Sequence, residues 1–152
     1  MTKENIEQAV GEGKLLISAQ QNILELQNLD NCPGWVSESL NELIDQNHWE
    51  ELNDRFHSNL AFGTGGMRGR TIGKNITSSE RGKSGDKETP NFAAVGSNTL
   101  NEITLLRATK ALFVYTEKWM QQKGVLEQPR LVVAYDVRHF SQKFANLVSK
   151  AW

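Results

Sequence analysis

Residues 130–135, Arg130-Leu131-Val132-Val133-Ala134-Tyr135, form a short and nearly continuous apolar run between two stretches of helical periodicity. A strand that alternates polar and apolar residues can lie on a surface. An unbroken run has to be covered on both faces, which places it inside a sheet with helices packed against it. Before it comes the clearest helical pattern of the chain, about Asn98 to Gln122, with Ile103, Leu106, Ala111, Val114 and Tyr115 on a broad apolar face and Gly124 just past its end. After it, Asp136-Val137-Arg138-His139-Phe140 turns the chain, and Ser141 is placed to cap a last helix beginning Gln142-Lys143-Phe144. Met67 to Ile72 reads as an earlier strand. Strand, helix, strand, helix is the signature of an α/β sheet with a crossover connection. Trp152 falls inside the last apolar periodicity, with no capping glycine and no following strand. The expectation is therefore an incomplete β-α-β-α part of a mixed sheet packed with helices, belonging to a longer protein.

The first third reads differently. From Lys3 to Leu29, Ile6, Ala9, Val10, Leu15, Leu16, Ile23, Leu24 and Leu26 recur at helical spacings, interrupted at Gly11 and Gly13, which predicts two helices. Asp30-Asn31-Cys32-Pro33-Gly34 is a turn cluster. A third helix with Trp35, Val36, Leu40, Leu43 and Ile44 follows, with Ser37 or Ser39 as candidate caps. A fourth runs from Trp49 through Leu52, Phe56 and Leu60 into a glycine-rich loop. Residues 1–59 thus form a helical lead-in. Residues 73–98, with Ser78, Ser79, Gly82, Ser84, Gly85 and Pro90, read as a long polar connection of the kind that is functional or inserted.

Composition bounds the class. With 38% hydrophobic and 23% charged residues the chain is globular in type. Cys32 has no partner for an intrachain disulfide, no apolar run nears the ~18 residues that span a bilayer, and the polar start is no signal peptide. A cytoplasmic location without membrane association is expected. Residues 1–62 carry eleven acids against three bases, and residues 63–152 fourteen bases against seven acids. Such a division fits either an anionic partner or two halves that attract each other. The bases are scattered without interleaved aromatics, so no nucleic-acid partner is expected.

The chemistry-bearing string is Leu60-Ala61-Phe62-Gly63-Thr64-Gly65-Gly66-Met67-Arg68-Gly69-Arg70. Glycines let consecutive backbone N–H groups converge on one anion, Thr64 adds a hydroxyl donor, and Arg68 adds a planar charged fork. Two familiar nucleotide loops fail. A Walker loop ending at Gly73-Lys74 needs glycine where Arg68 stands and Ser or Thr where Asn75 stands. A dinucleotide fingerprint starting at Gly63 and Gly65 needs its third glycine at the same Arg68. As a bare pattern, the glycines serve equally to turn the chain.

The complete string resembles the opening motif of the α-D-phosphohexomutases, the family of phosphoglucomutases and phosphomannomutases: phenylalanine, glycine, threonine, a small residue, glycine, an apolar residue, arginine, glycine. Gly65 fills the small position and Met67 the apolar one. Ala94-Val95-Gly96-Ser97-Asn98-Thr99-Leu100-Asn101 resembles the approach to that family's first long helix. Val133-Ala134-Tyr135-Asp136-Val137-Arg138-His139-Phe140-Ser141 resembles the strand and turn after it, with Val137 where serine is common. The resemblance spans about residues 60–152, and residues 1–59 look like the extended front of one branch of the family.

The resemblance implies that residues 60–152 are the N-terminal part of the family's first domain, truncated before the catalytic serine loop. It further implies an isomerase acting by intramolecular phosphotransfer: a phosphoserine converts hexose 1-phosphate and hexose 6-phosphate through a hexose bisphosphate, with Mg²⁺ held by three aspartates of a later domain. Implied partners are hexose phosphate, hexose bisphosphate and the remaining domains of the parent chain. No serine here is followed by His-Asn-Pro and no Asp-x-Asp-x-Asp run occurs, so no catalytic residue and no metal ligand is assigned to this chain, which by itself is expected to be inactive. The alternative is a non-catalytic module binding a phosphorylated ligand. Carried over residue by residue, the family places Arg68 beside the active-site phosphate, with Thr64 and Gly65 shaping the loop. Asp136 and Arg138 sit just past the carboxyl end of the expected strand, where α/β sheets place their functional loops; the reading preferred over that one is a turn stabilised by their own ion pair. His48, His57 and His139 have no metal-ligand spacing, and Trp35, Trp49, Trp119 and Trp152 are expected in the core.

Overall fold

The computed structural model describes residues 2–83 and 89–152. With 52% helix and one sheet of two short antiparallel strands, the fold is mixed α/β and mostly helical. It divides into two compact units, Met1–Asn101 and Glu102–Trp152.

In the first unit, α1 (Thr2–Gly11), α2 (Ile17–Gln27), α3 (Gly34–Asp45) and α4 (Trp49–Phe56) pack on one another. Each turns an i, i+3/i+4 stripe inward: Ile6 and Ala9; Ala19, Ile23 and Leu26; Val36, Leu40, Leu43 and Ile44; Leu52 and Phe56. Burying each of the larger side chains contributes roughly 1.5–3 kcal/mol, the main return against chain entropy. The expected break between α1 and α2 is present, with Gly13 at φ +70° in the left-handed region that a Cβ disfavours. Neither candidate serine caps α3, whose N-cap is Pro33. Ser39 lies a turn farther on, fully buried, and donates instead to Glu80 Oε1 at 3.0 Å.

The hairpin β1 (Phe62–Gly63) and β2 (Gly66–Met67) follows α4, with Phe62 opposite Met67. The strand expected over Met67–Ile72 is shorter than its pattern suggested: past Met67 only Arg70 makes a bridge, to Thr99. The polar connection 73–98 is not a surface loop over its described part. It forms α5 (Ser78–Arg81), opened by a capping box in which Thr77 and Glu80 satisfy each other's backbone N–H. It also buries Thr77, Glu80, Ala93, Ala94 and Val95. Ser84 and Gly85 lie outside the described residues.

The second unit holds α6 (Glu102–Gln122) packed on α7 (Ser141–Ala151). Phe113 meets Trp152 edge-on at 5.1 Å, and Lys143 Nζ lies 2.8 Å from Glu102 Oε1. The run expected as a two-sided buried strand is not paired among the described residues, and Val132 and Tyr135 are 96% and 59% exposed. A strand needs a neighbour to satisfy its backbone, and none of the described residues supplies one here. Ser141 is the first residue of α7 rather than its cap. Phe140, at φ +68°, occupies the cap position, and the Ser141 hydroxyl accepts from Asp136 N–H at 3.0 Å. Trp119, expected in the core, is 48% exposed, and Trp35, Trp49 and Trp152 are half-buried. No helix of the described residues is long and apolar enough to cross a membrane.

Candidate functional site

The glycine-rich string folds as the β1–β2 hairpin with Thr64 and Gly65 at its tip, and Gly66 at φ +113° makes the turn possible. Phe62, Thr64, Gly65 and Arg68 are all exposed. Among the described residues the Arg68 side chain makes no hydrogen bond or ion pair. Its guanidinium lies over the tip: a Cβ on Gly65 would come 2.9 Å from Nη2 of Arg68. An alanine there would displace only the end of a flexible side chain. The structure therefore brings together the three residues singled out from the sequence, Thr64, Gly65 and Arg68, on one solvent-facing turn.

Both stems of the hairpin are clipped to residues 97–101. Leu60 N–H donates to Ser97 C=O at 2.8 Å, and Leu100 N–H donates to Arg70 C=O at 3.0 Å. Ser97 Oγ donates to Ser58 C=O at 2.7 Å. Gly69 sits where these segments meet, and a Cβ would fall 2.9 Å from both Leu100 N and Leu60 Cδ1. Backbone cannot give way as a side-chain tip can, so Gly69 is required for the close approach.

Below the hairpin lies a buried charge network that the sequence reading passed over. Arg55 is fully buried. It donates through Nε to Glu51 Oε1 at 2.7 Å, through Nη1 to Glu80 Oε1 at 2.5 Å, and through Nη2 to Asn75 C=O at 2.6 Å. Burial by itself pulls the Arg55 pKa down, but the Glu80 and Glu51 carboxylates outweigh it and hold the guanidinium above its ordinary value. Glu80 also accepts from Val95 N–H at 2.9 Å and Thr77 N–H at 3.1 Å, so its buried oxygens are well satisfied. Glu51 Oε1 is shared with Lys74 N–H at 3.0 Å and Arg70 Nη2 at 3.2 Å, and Arg70 also pairs with Asp54. Arg70 thus ties the return stem of the hairpin, two residues from Arg68, to α4. The sequence held signals for this: Glu51 and Arg55 are spaced i, i+4, and Thr77-Ser78-Ser79-Glu80 is a capping-box pattern.

Asp136 and Arg138, in the other unit, form a local turn. Arg138 N–H donates to Asp136 Oδ1 at 3.0 Å and Arg138 Nε to Oδ2 at 2.8 Å. The backbone hydrogen bond from Arg138 is the largest cause holding the Asp136 carboxyl below its ordinary value. Among the described residues no group of three or more His, Cys, Asp or Glu side chains converges as a metal site. Comparison with protein families, with curated proteins and with solved structures finds no match for this chain.

Proposed function

We propose that the Phe62–Gly69 hairpin is a phosphate-binding element, and that the chain is the front portion of a phosphohexomutase whose hairpin receives a phosphate of hexose phosphate or hexose bisphosphate. The observation that carries the phosphate reading is Arg68: a guanidinium without a partner among the described residues, lying over a glycine turn whose stems are clipped to the body of the unit. An arginine that served packing or an internal ion pair would be engaged, as Arg55 and Arg70 are. A guanidinium fork presented to solvent beside a glycine turn suits phosphoryl chemistry, in which positioning and charge stabilisation supply most of the catalysis. The mutase part rests on the sequence resemblance, and it leaves the phosphoryl-transferring serine and the metal ligands to other parts of the parent.

The phosphate reading is tested by titrating the ¹⁵N-labelled chain with glucose 1-phosphate and following the amides of residues 62–69. Saturable shifts there support it, and shifts elsewhere alone would sink it. The mutase part is tested on the gene: an open frame running past codon 152 into a Ser-His-Asn-Pro motif supports it, and a stop favours a phosphate-ligand module without catalysis.

A further inference from the structure

A second cationic site lies between α3 and residues 72–77. A cavity of about 480 Å³ opens there, lined among others by Glu42, His48, Ile72, Lys74, Asn75 and Arg81. The volume is that of a small-molecule site rather than of a macromolecular groove.

Its polar groups divide into the satisfied and the unsatisfied. Glu42 is occupied, accepting from Ser78 N–H at 2.8 Å and from Ser78 Oγ at 3.4 Å. His48 Nε2 lies 3.0 Å from Gln46 Oε1, and its ring faces the Asn75 amide at 3.4 Å. The two cations differ from these. Lys74 is exposed, and its side chain has no hydrogen-bond or ion-pair partner among the described residues, although its backbone N–H is fixed on Glu51 at 3.0 Å. The Arg81 side chain likewise has no hydrogen-bond or ion-pair partner among the described residues, and its Nε is buried. Nε is closed to an incoming ligand, so what Arg81 offers the cavity it lines is its terminal N–H groups.

We propose that this cavity binds a small phosphomonoester dianion, its oxygens received by Lys74 and Arg81. An ammonium and the terminal N–H groups of a guanidinium can together serve several oxygens of one tetrahedral group, and two cations against the single Glu42 carboxylate leave the lining a positive surplus. None of the residues of the Phe62–Gly69 hairpin lines the cavity, so the site stands independently of the phosphate reading of the hairpin.

The test is a calorimetric and NMR titration of the whole chain with inorganic phosphate and with methyl phosphate, at pH 7.5 and constant ionic strength. Saturable binding is expected, with shifts at the His48 ring and the Arg81 Nε–H. Lys74→Gln and Arg81→Gln should each weaken the binding read at these resonances about tenfold or more, as the loss of a charge-assisted hydrogen bond does, and Arg68→Ala, which acts at the hairpin, should leave that local reading unchanged. Lys74 is exposed, so Lys74→Gln decides the matter even if Arg81→Gln folds poorly. Binding without saturation, or with equal affinity in wild type and Lys74→Gln, would overturn the proposal. Loss of binding in Arg68→Ala with Lys74→Gln unaffected would overturn it too and assign phosphate to the hairpin alone.

Discussion

Replacing Arg55 by methionine keeps most of the length of the side chain and removes its charge and its donors. Two carboxylates then remain, Glu51 and Glu80, whose side chains are 3% and 1% exposed, together with the Asn75 carbonyl that loses its 2.6 Å donor. Breaking a buried ion pair by deleting one partner typically costs about 3–5 kcal/mol, because the surviving charge stays buried. For a unit of roughly 100 residues each kcal/mol moves the melting temperature by about 4–8 °C, so Arg55→Met should lower it by about 12 °C or more. The guanidinium pKa is raised in the folded state, so its contribution is complete at all pH values below its unfolded pKa and fades only as pH rises through the folded one. Adding Glu80→Gln should cost less than the sum of the single changes, since the carboxylate left unpaired by the first change is then neutral. Thermal and urea denaturation followed by circular dichroism on wild type, the two single variants and the double variant measure the shift and the cycle. A melting temperature within about 3 °C of wild type for Arg55→Met, or strict additivity, would refute the reasoning.

Gly73→Ala should destabilise the first unit by about 1–3 kcal/mol, because the added Cβ falls 2.0 Å from Nη2 of the immobile Arg55 and 2.8 Å from Glu51 Oε1; thermal melts check it. Asp136 should titrate below ordinary aspartates, and the stability its turn gains from the carboxylate should be lost as pH falls through that lowered value. Its largest cause is the Arg138 backbone N–H, so Arg138→Ala should retain much of the shift in a carboxyl ¹³C titration; complete loss would reassign it to the guanidinium. The purified 152-residue chain should not convert glucose 1-phosphate to glucose 6-phosphate, since it contains no Ser-His-Asn-Pro motif, and turnover in a contaminant-free preparation would contradict that.

The helices were legible because their information is local. Ile6 with Ala9, or Val36 with Leu40 and Leu43, repeat at the helical period whatever they pack against, and Gly13 and the Asp30–Gly34 cluster mark breaks that depend only on backbone freedom. The turn at Thr64–Gly66 carries a local signal as well, since it needs its glycines within a few positions. What was missed depends on partners distant in sequence. Glu80 and Thr77 looked like surface residues of a polar loop, and they are buried because Arg55, Ser39 and Val95 meet them. Ser39 looked like a cap because its hydroxyl is the right kind of group, and its acceptor lies 41 residues away. Leu131–Tyr135 has the composition of a buried strand, but pairing requires a neighbouring strand that none of the described residues provides. Gly69 reads in the sequence as one more glycine of the glycine-rich string, whereas its structural reason is the approach of Leu100 N.

The role of Arg68 is tested most directly by measuring glucose 1-phosphate affinity and thermal stability together on wild type, Arg68→Ala and Arg68→Lys. Arg68 is exposed, and its side chain makes no hydrogen bond or ion pair among the described residues, so both variants should melt within about 1 °C of wild type, as surface changes do. Arg68→Ala should weaken binding at the hairpin by about tenfold or more, the loss of a charge-assisted hydrogen bond, and Arg68→Lys should recover part of it by keeping the charge without the fork. Wild-type affinity in Arg68→Ala, with amide shifts at residues 62–69 unchanged, would contradict the phosphate-binding account of the hairpin.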